Sequence, residues 1–316
     1  MKRYINLIGL LALASTLILG VLGLFSHVHL IFDLASHFRV HYAITACVAS
    51  IIFLFYRAHW LALLSIVSLA FNLAFVVPWY FGSKETASKE DIKIFLSNVL
   101  TNNSDHGRLV SLIQNVSPDI IVVMEINNSW VNALNVLENE YSYSKLAPRE
   151  DNFGIGVYSK LPIIMGSVKY FGSSGVPSIV LSLEAAKGTL TLVATHPVPP
   201  IGDDYFKSRN KQLSHVAKEA EKISGPFILA GDLNTTMWSS HYSQLEKNGK
   251  LRNVRRGFGI NATWPSGLGI LGIPIDHVLI SDEIRVVDVR VGASVGSDHL
   301  PLIIELSIIG SVSAGT

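Results

Sequence analysis

The pattern of apolar and polar positions divides the chain into an N-terminal part and a longer C-terminal part. Three N-terminal intervals contain no Asp, Glu, Lys or Arg, and these are residues 4–32, 40–56 and 58–83. Each interval approaches or exceeds the ~20 apolar residues that cross the hydrocarbon core of a bilayer. We therefore predict three transmembrane helices, at about residues 5–25, 40–57 and 60–80.

A cleaved signal peptide is the alternative interpretation of the first interval. Its apolar run is longer than the ~7–15 residues usual for a signal peptide, and no small-residue cleavage site follows it cleanly. Two further apolar intervals come after it. These observations favour a membrane anchor.

Basic residues predict the orientation of the anchor. Lys2 and Arg3 precede the first predicted helix, and Arg57 and His59 lie in the turn between the second and third. Basic residues beside transmembrane helices prefer the cytoplasmic side. Three crossings would then place everything after Tyr80 outside the cytoplasm.

A polar segment, GSKETASKE, follows the last apolar interval. Its nine residues reach roughly 30 Å when extended, at ~3.3 Å per residue, so the following domain stays close to the bilayer. We predict an anchor over residues 1–82, a linker over 83–90, a soluble domain over 91–308 and a tail over 309–316.

The soluble part alternates short apolar runs with helical stretches. The predicted strands are residues 93–99, 120–124, 154–159, 178–183, 190–194, 227–230, 276–280, 286–291 and 302–306. The predicted helices are residues 109–116, 130–139 and 205–223. Many short strands with few helices favour two packed sheets flanked by helices over a single doubly wound sheet.

Charge and cysteine content limit the function classes. Of 25 basic and 24 acidic residues, four basic and one acidic residue lie in residues 1–82, which leaves 21 and 23 and a net charge of about −2 for the remainder. A domain that grips long nucleic acid without sequence preference usually carries a strong basic excess. The only cysteine, Cys47, lies in the second predicted helix, so no disulfide forms within the chain.

Two polar residues end predicted strands in the first half of the soluble part. Asn98 follows one apolar run, and Glu125 follows Ile-Ile-Val-Val-Met. A carboxylate at a buried strand end needs a partner or a cation, and Mg²⁺ prefers oxygen ligands. The alternatives are a turn-forming Asn98 and a solvated Glu125.

The segment Gly231-Asp232-Leu233-Asn234 follows another strand. Asp232 and Asn234 lie two positions apart, so in extended backbone both side chains point to the same side. One can orient a water while the other donates a hydrogen bond to developing negative charge. A helix N-cap or an Asx turn is the alternative.

Two Asp-His pairs occur near the C-terminus, Asp276-His277 and Asp298-His299. A general-base histidine needs a carboxylate that accepts its far N–H. Asp276 could serve His299 in this way, which leaves Asp298 for a metal and makes His277 structural. His196, before a Pro-rich turn, could contact or protonate a leaving group, or could be a loop histidine without a role.

Taken together, these motifs resemble the endonuclease/exonuclease/phosphatase superfamily, which includes exonuclease III-type apurinic endonucleases, pancreatic deoxyribonuclease, neutral sphingomyelinases and inositol polyphosphate 5-phosphatases. The resemblance covers about residues 91–308 and implies a four-layer α/β (α+β) sandwich of two mainly antiparallel sheets. The matching positions, in the family's order, are Asn98, Glu125, Thr195-His196-Pro197, GDLN at 231–234, IDHVLIS at 275–281 and GSDHLP at 296–301.

The resemblance implies metal-dependent hydrolysis of a phosphoester with Mg²⁺, and with Mn²⁺ as an alternative. Glu125 would be the principal metal ligand, with Asn98 and Asp298 completing the metal and phosphate surroundings. His299 would activate water, held by Asp276. The anchor resembles that of membrane-bound bacterial members, which implies a bacterial inner membrane.

The remaining roles also follow from the resemblance. Asp232 would position the nucleophile or the leaving oxygen, and Asn234 would stabilise the pentacovalent phosphorus. His196 is similar to the second histidine of the deoxyribonuclease and sphingomyelinase branches. The apurinic endonuclease branch has a tyrosine near that position, so the chain departs from that branch.

The expected substrate remains open between two classes. A short tether and a slightly acidic domain favour a lipid or lipid-linked phosphate at the bilayer. The family's most frequent chemistry and Trp264, whose indole could stack on a base, favour a nuclease; plain packing is the other reading of Trp264. A scaffold that kept the fold and lost the reaction is a third hypothesis, and no protein partner is evident.

Overall fold

We describe the chain from a computed structural model, which covers residues 2–82 and 91–309, with side chains from residue 7 onward. The predicted linker 83–90 and residues 310–316 of the predicted tail lie outside this description. The N-terminal part contains four helices, α1 (Lys2–Leu22), α2 (Leu30–Ser36), α3 (Arg39–Phe55) and α4 (His59–Val76).

Within residues 2–82 and 91–309, two helical segments are long and apolar enough to cross a membrane, Leu7–Phe25 and His59–Tyr80. The middle predicted helix corresponds to α3. It is long enough to cross a membrane only when α2 is counted with it, and the axes of α2 and α3 are bent by 65° relative to each other. The sequence therefore located the apolar helices but missed α2. His29 caps α2 by accepting a hydrogen bond from the backbone N–H of Ile31.

Two six-stranded sheets form the soluble part. Nine of its twelve strands overlap the strands predicted from the sequence, and three were not predicted. The strands are β1 (Ile92–Asn98), β2 (Ile120–Met124), β3 (Tyr143–Ala147), β4 (Ile155–Ser159), β5 (Ile163–Lys169), β6 (Ser178–Ala185), β7 (Gly188–Thr195), β8 (Phe227–Asp232), β9 (Arg252–Asn253), β10 (Asp276–Ile280), β11 (Ile284–Val291) and β12 (Leu302–Ile308). The first sheet has the order β11-β12-β1-β2-β4-β3 and the second β5-β6-β7-β8-β10-β9.

The pairing is mainly antiparallel, as the family resemblance implied. Each sheet contains one parallel pair, β1 with β2 and β7 with β8. Apolar side chains from the facing surfaces of both sheets form one core, in which Leu96, Val122, Leu192 and Val278 are buried. Alternation along each strand directs every second side chain into this core.

Helices cover the outer surfaces of the two sheets and complete four layers. The helix pair α5 (His106–Val116) and α6 (Asn128–Leu134) packs with the first sheet, and Trp130 is fully buried there. The pair α7 (Asp203–Glu221) and α8 (Ser240–Gly249) packs with the second sheet. Asp203 and Asp204 in the first turn of α7 interact favourably with the helix dipole.

Residues 2–82, which we call the anchor after the expectation from the sequence, pack directly against the helices of the second sheet. Val76 and Trp79 join the hydrophobic core that α7 and α8 form. The backbone carbonyl of Trp79 accepts hydrogen bonds from Gly257 and Gly259, and the indole of Trp238 donates to the carbonyl of Phe75. The anchor is thus in extensive contact with the soluble part.

Candidate active site

Strand pairing brings the predicted polar residues to one end of the sandwich. In the first sheet Asn98 ends β1 beside Met124 of the parallel strand β2, and Glu125 follows at once. In the second sheet Asp276 of β10 is paired in register with Asp232 of β8. The Asp298-His299 segment immediately precedes β12, which pairs with β1.

These side chains surround one cleft with a volume of about 710 Å³. Asn98 and Asp276 lie buried beside the cleft, each hydrogen-bonded to a residue that lines it. The predicted residues that line the cleft are Glu125, His196, Asp232, Asn234, Trp264, Asp298 and His299.

Glu125 is a buried carboxylate held by neutral donors. Its side-chain oxygens accept hydrogen bonds from the amide of Asn98 at 2.9 Å and from the backbone N–H of Thr101 at 3.3 Å. Burial raises the pKa of Glu125, because the charged form loses solvation. Its backbone φ is +63°, which is uncommon for a non-glycine residue. Residues with such strained backbone conformations cluster at functional sites.

Asn98 orients two carboxylates rather than offering its oxygen to the cleft. Its amide nitrogen donates to Glu125 at 2.9 Å and to Asp232 at 3.2 Å, while its amide oxygen accepts from the backbone N–H of Leu100. The expectation that Asn98 helps to complete the metal and phosphate surroundings stays a prediction. An amide that faces two carboxylates presents its NH₂ group to them.

His299 and Asp276 form the pair that the sequence predicted. The Nδ1 atom of His299 lies 2.9 Å from an oxygen of Asp276, and its Nε2 atom lies 3.6 Å from Asp232. Burial opposes protonation of His299, but the charges of Asp276 and Asp232 outweigh it and raise its pKa to about 10. Burial and the charge of Asp276 raise the pKa of Asp232 to about 7.

His196 lies on the other side of Asp232, with its Nε2 atom 3.6 Å from the carboxylate. Burial, followed by the charge of His299, lowers the pKa of His196 to about 4, so the ring is neutral near pH 7. Asn234 donates through its amide to the carbonyl of Pro197, next to His196. Its backbone N–H donates to Asp232 at 2.9 Å, so the Asx turn considered from the sequence also forms.

His277 faces away from this cleft and is fully buried. Its Nε2 atom lies 2.8 Å from the carbonyl of Thr235, and its Nδ1 atom lies 3.2 Å from the amide of Asn253. Because both nitrogens contact protein groups, the ring packs the interior, as expected for a structural histidine.

Trp264 lines the cleft and contacts a predicted metal ligand. Its indole N–H donates to Asp298 at 3.0 Å, and its ring centroid lies 6.5 Å from that of His299. The side chain therefore orients Asp298, a contact that the sequence did not predict.

Comparison with known proteins identifies the family. A model of the Endonuclease/Exonuclease/phosphatase family matches residues 95–299. The chain belongs to this family. A comparison with curated protein sequences finds no match.

Solved structures show the same fold at low sequence identity. An endonuclease/exonuclease/phosphatase from Beutenbergia cavernae DSM 12333 is 17% identical, with a TM-score of 0.57 over 70% of this chain and 72% of that one. The human Nocturnin catalytic domain is 16% identical, with a TM-score of 0.57 over 69% and 94%. Sphingomyelinase C from Streptomyces griseocarneus is 16% identical, with a TM-score of 0.52 over 69% and 99%.

Membership of the endonuclease/exonuclease/phosphatase family assigns the chain to the metal-dependent hydrolases of phosphoester bonds. The cleft suits a divalent cation. Within residues 91–309 no Lys or Arg forms a salt bridge with Glu125, so a buried carboxylate has room for a cationic partner. Oxygen and nitrogen atoms of Asp232, Asp276 and His299 also lie within 4.8 Å of one another.

Those three residues are a weaker magnesium site than the carboxylates nearer the cleft opening. The imidazole of His299 is already hydrogen-bonded to Asp276, and Mg²⁺ prefers oxygen ligands in octahedral geometry. Glu125 and Asp298 line the cleft, and within residues 91–309 neither forms a salt bridge with a Lys or Arg side chain. They are the better candidates for the cation.

The cleft is also lined by residues that the sequence analysis did not single out. Leu34, His37 and Phe38 from the anchor line it, together with residues 151–153 from the loop before β4. One sequence feature pointed to this part of the anchor: Asp33 is the only acidic residue in positions 1–82. An acidic residue between apolar helices is rarely buried unless it has a partner.

Proposed function

We propose that the protein is a membrane-anchored, Mg²⁺-dependent phosphoesterase that hydrolyses a lipid or lipid-linked phosphate outside the cytoplasm. The division into an anchor over 1–82, a linker over 83–90 and a catalytic domain over 91–308 is part of this proposal. The observation that carries it is the single cleft in which Glu125, Asp298 and the His299–Asp276 pair meet.

Glu125 and Asp298 would hold the cation, with Asn98 and Trp264 orienting their carboxylates. Mg²⁺ bound there would withdraw electron density from the phosphoester oxygens and offset the charge of the phosphate. A nearby divalent cation also lowers the pKa of a neighbouring imidazole, which counteracts the effect of the carboxylates on His299.

His299 is placed to accept a proton from the attacking water. Its Nδ1–H is held by Asp276, so Nε2 is the nitrogen available to the cleft. Water forms the new bond to phosphorus and gives its proton to Nε2, while the bond to the leaving oxygen breaks. Asp232, 3.6 Å from both histidines, would position the water or the leaving oxygen.

The neutral His196 would donate a hydrogen bond from Nε2 to the leaving oxygen or to a phosphoryl oxygen. The amide of Asn234 holds the backbone of the His196 loop through Pro197, and its second N–H can face the pentacovalent phosphorus. Both donors act where negative charge develops, which is the largest electrostatic contribution in this type of reaction.

Hydrolysis of bis-p-nitrophenyl phosphate by the full-length protein in detergent tests this function. We expect Mg²⁺-dependent turnover, its abolition by EDTA, and a loss of ~10²–10⁴-fold in kcat for His299→Ala, because proton transfer contributes this much. His215→Ala, on α7 away from the cleft, is the matched control.

EDTA-resistant turnover, or a His299→Ala enzyme as active as the wild type, would contradict the proposed reaction. No turnover in the wild type would favour a scaffold. The nuclease hypothesis is supported by the place of Trp264 at the cleft. Cleavage of plasmid DNA that Asp298→Ala abolishes, without turnover of phospholipid, would replace the lipid substrate by nucleic acid.

A further inference from the structure

The membrane anchor supplies part of the active-site cleft. Leu34, on α2, and Phe38, in the turn between α2 and α3, line the same cavity as Glu125 and His299. Both side chains are 38% exposed. Neither can coordinate a cation or move a proton, so their contribution to the cleft is apolar contact surface.

Two side chains from the loop after β7 and the start of α7 extend this surface. Ile201 and Tyr205 line the same cavity, and Ile201 is 78% exposed. We call Leu34, Phe38, Ile201 and Tyr205 the apolar strip. The cleft therefore joins polar groups that surround a phosphate to an apolar strip that has no part in the chemistry.

Buried polar contacts fix the strip relative to residues 232–239, at and after the end of β8, which we call the catalytic loop. Asp33, next to Leu34, is fully buried and accepts hydrogen bonds from Arg209 at 2.7 Å and from Ser239 at 2.6 Å. His37, next to Phe38, lies 3.0 Å from the hydroxyl of Thr236. Since Asp33 and His37 are both held by the soluble part, α2 has a defined position at the cleft.

Exposed apolar residues continue from the cleft along the anchor. His41 on α3 lies 2.9 Å from the carbonyl of Leu271. The side chain of Leu271 is 42% exposed, and that of its neighbour Ile270 is 77% exposed. Adjacent exposed apolar residues commonly mark a surface that contacts a partner or a membrane, and here they adjoin helices apolar enough to span one.

We propose that the apolar strip binds the hydrocarbon chain of an amphiphilic phosphoester. This inference rests on the proposed function and narrows its substrate to a phosphoester with at least one long alkyl or isoprenoid chain. The phosphoryl group lies among Glu125, Asp298 and His299, and the chain lies along the strip toward the bilayer. Leu34 and Phe38 are thus specificity-determining residues contributed by the anchor.

Two probes that differ only in chain length test the proposal. Ethyl p-nitrophenyl phosphate and hexadecyl p-nitrophenyl phosphate share the reacting phosphorus and the leaving group, and water releases p-nitrophenolate from each. Full-length protein is assayed on both in the same mixed micelles with Mg²⁺, and the ratio of the two kcat/KM values is the readout. Ile31→Ala is the matched control, since Ile31 is a 57% exposed residue of α2 outside the cleft lining.

We expect the wild type and Ile31→Ala to prefer the hexadecyl probe by at least ~10-fold. Leu34→Ala and Phe38→Ala should each lower this ratio about tenfold, because each removes apolar contact area from the chain. Two results would overturn this inference and leave the proposed function intact. One is hydrolysis that depends on His299 but shows no preference for the longer chain, and the other is a kcat/KM ratio that is unchanged in both Leu34→Ala and Phe38→Ala. Hydrolysis of either probe that does not depend on His299 and Mg²⁺ contradicts the proposed function instead.

Discussion

Asp232 lies in the cleft between two imidazoles whose pKa values are shifted in opposite directions. Its carboxylate lies 3.6 Å from His196 and 3.6 Å from His299. The pKa of His196 is about 4 because of burial and the charge of His299, while the carboxylates around His299 raise its pKa to about 10. Two residues of the same type thus acquire different pKa values from their surroundings.

His277 is a second single residue with a clear effect, because it makes the free energy of unfolding depend on pH. Burial lowers the pKa of His277 to about 3, against ~6.5 in an unfolded chain. Protonation would place a hydrogen on Nδ1, which already faces the amide of Asn253. Stability is therefore present above about pH 6.5 and is lost progressively as the pH falls toward 3, because the unfolded state binds the proton more readily.

We expect thermal unfolding of the full-length protein to show this loss of stability at acid pH. The Tm should fall between pH 7 and pH 5, and it should fall less steeply in His277→Gln, whose side chain does not titrate. Parallel pH profiles for the two proteins would show that His277 contributes nothing to the acid sensitivity.

At the scale of elements, α2 joins the anchor to the catalytic loop. Arg209 on α7 is fully buried and donates both to Asp33 of α2 and to the backbone carbonyl of Asn234. The ion pair therefore links a helix of the anchor to the segment that carries Asp232. Removing the anchor would leave the guanidinium of Arg209 buried without its carboxylate.

Asp33→Asn tests this link. We expect a loss of about 3–5 kcal/mol in unfolding free energy, because one charge of a buried pair is left uncompensated. The double variant Asp33→Leu/Arg209→Met should be less destabilised than Asp33→Asn, and Glu221→Gln, an exposed change on α7, should behave as the wild type. Thermal or denaturant unfolding in detergent measures all four, and equal stability of Asp33→Asn and Glu221→Gln would contradict the link.

At the scale of the whole molecule, the orientation in the membrane decides which substrates the cleft can meet. Two apolar helical segments can span a bilayer, and the bent α2–α3 pair would add a third. With three crossings and a cytoplasmic N-terminus, the cleft faces outward, whereas two crossings would return it to the cytoplasm.

A reporter distinguishes the two topologies. We expect an alkaline phosphatase fused after Thr316 to be active in bacterial cells, because this enzyme folds only outside the cytoplasm, where disulfides form. A fluorescent reporter that matures only in the cytoplasm, fused at the same site, is the control and should stay dark. The reverse pattern would place the cleft in the cytoplasm.

The sequence by itself determined the apolar anchor segments, most strands and the family. A transmembrane helix or a strand depends on a local run of apolar residues, as in Ile-Ile-Val-Val-Met of β2. The motifs of the candidate site lie at the ends of such runs, where the sequence shows them directly. Strands β3, β5 and β9 were not predicted, because β3 and β5 contain no buried residue and β9 has only two residues. The orientation of the Asn98 amide could not be predicted from the sequence, because it depends on Leu100, Glu125 and Asp232 together.

Only the tertiary structure decided that the anchor belongs to the cleft. Asp33 and Arg209 are 176 positions apart, and Leu34 and Phe38 are ordinary apolar residues between the first two predicted transmembrane helices. No periodicity or motif encodes which distant surface an apolar helix will cover. That choice follows from the shape and the buried charges of both surfaces, which exist only once the chain has folded.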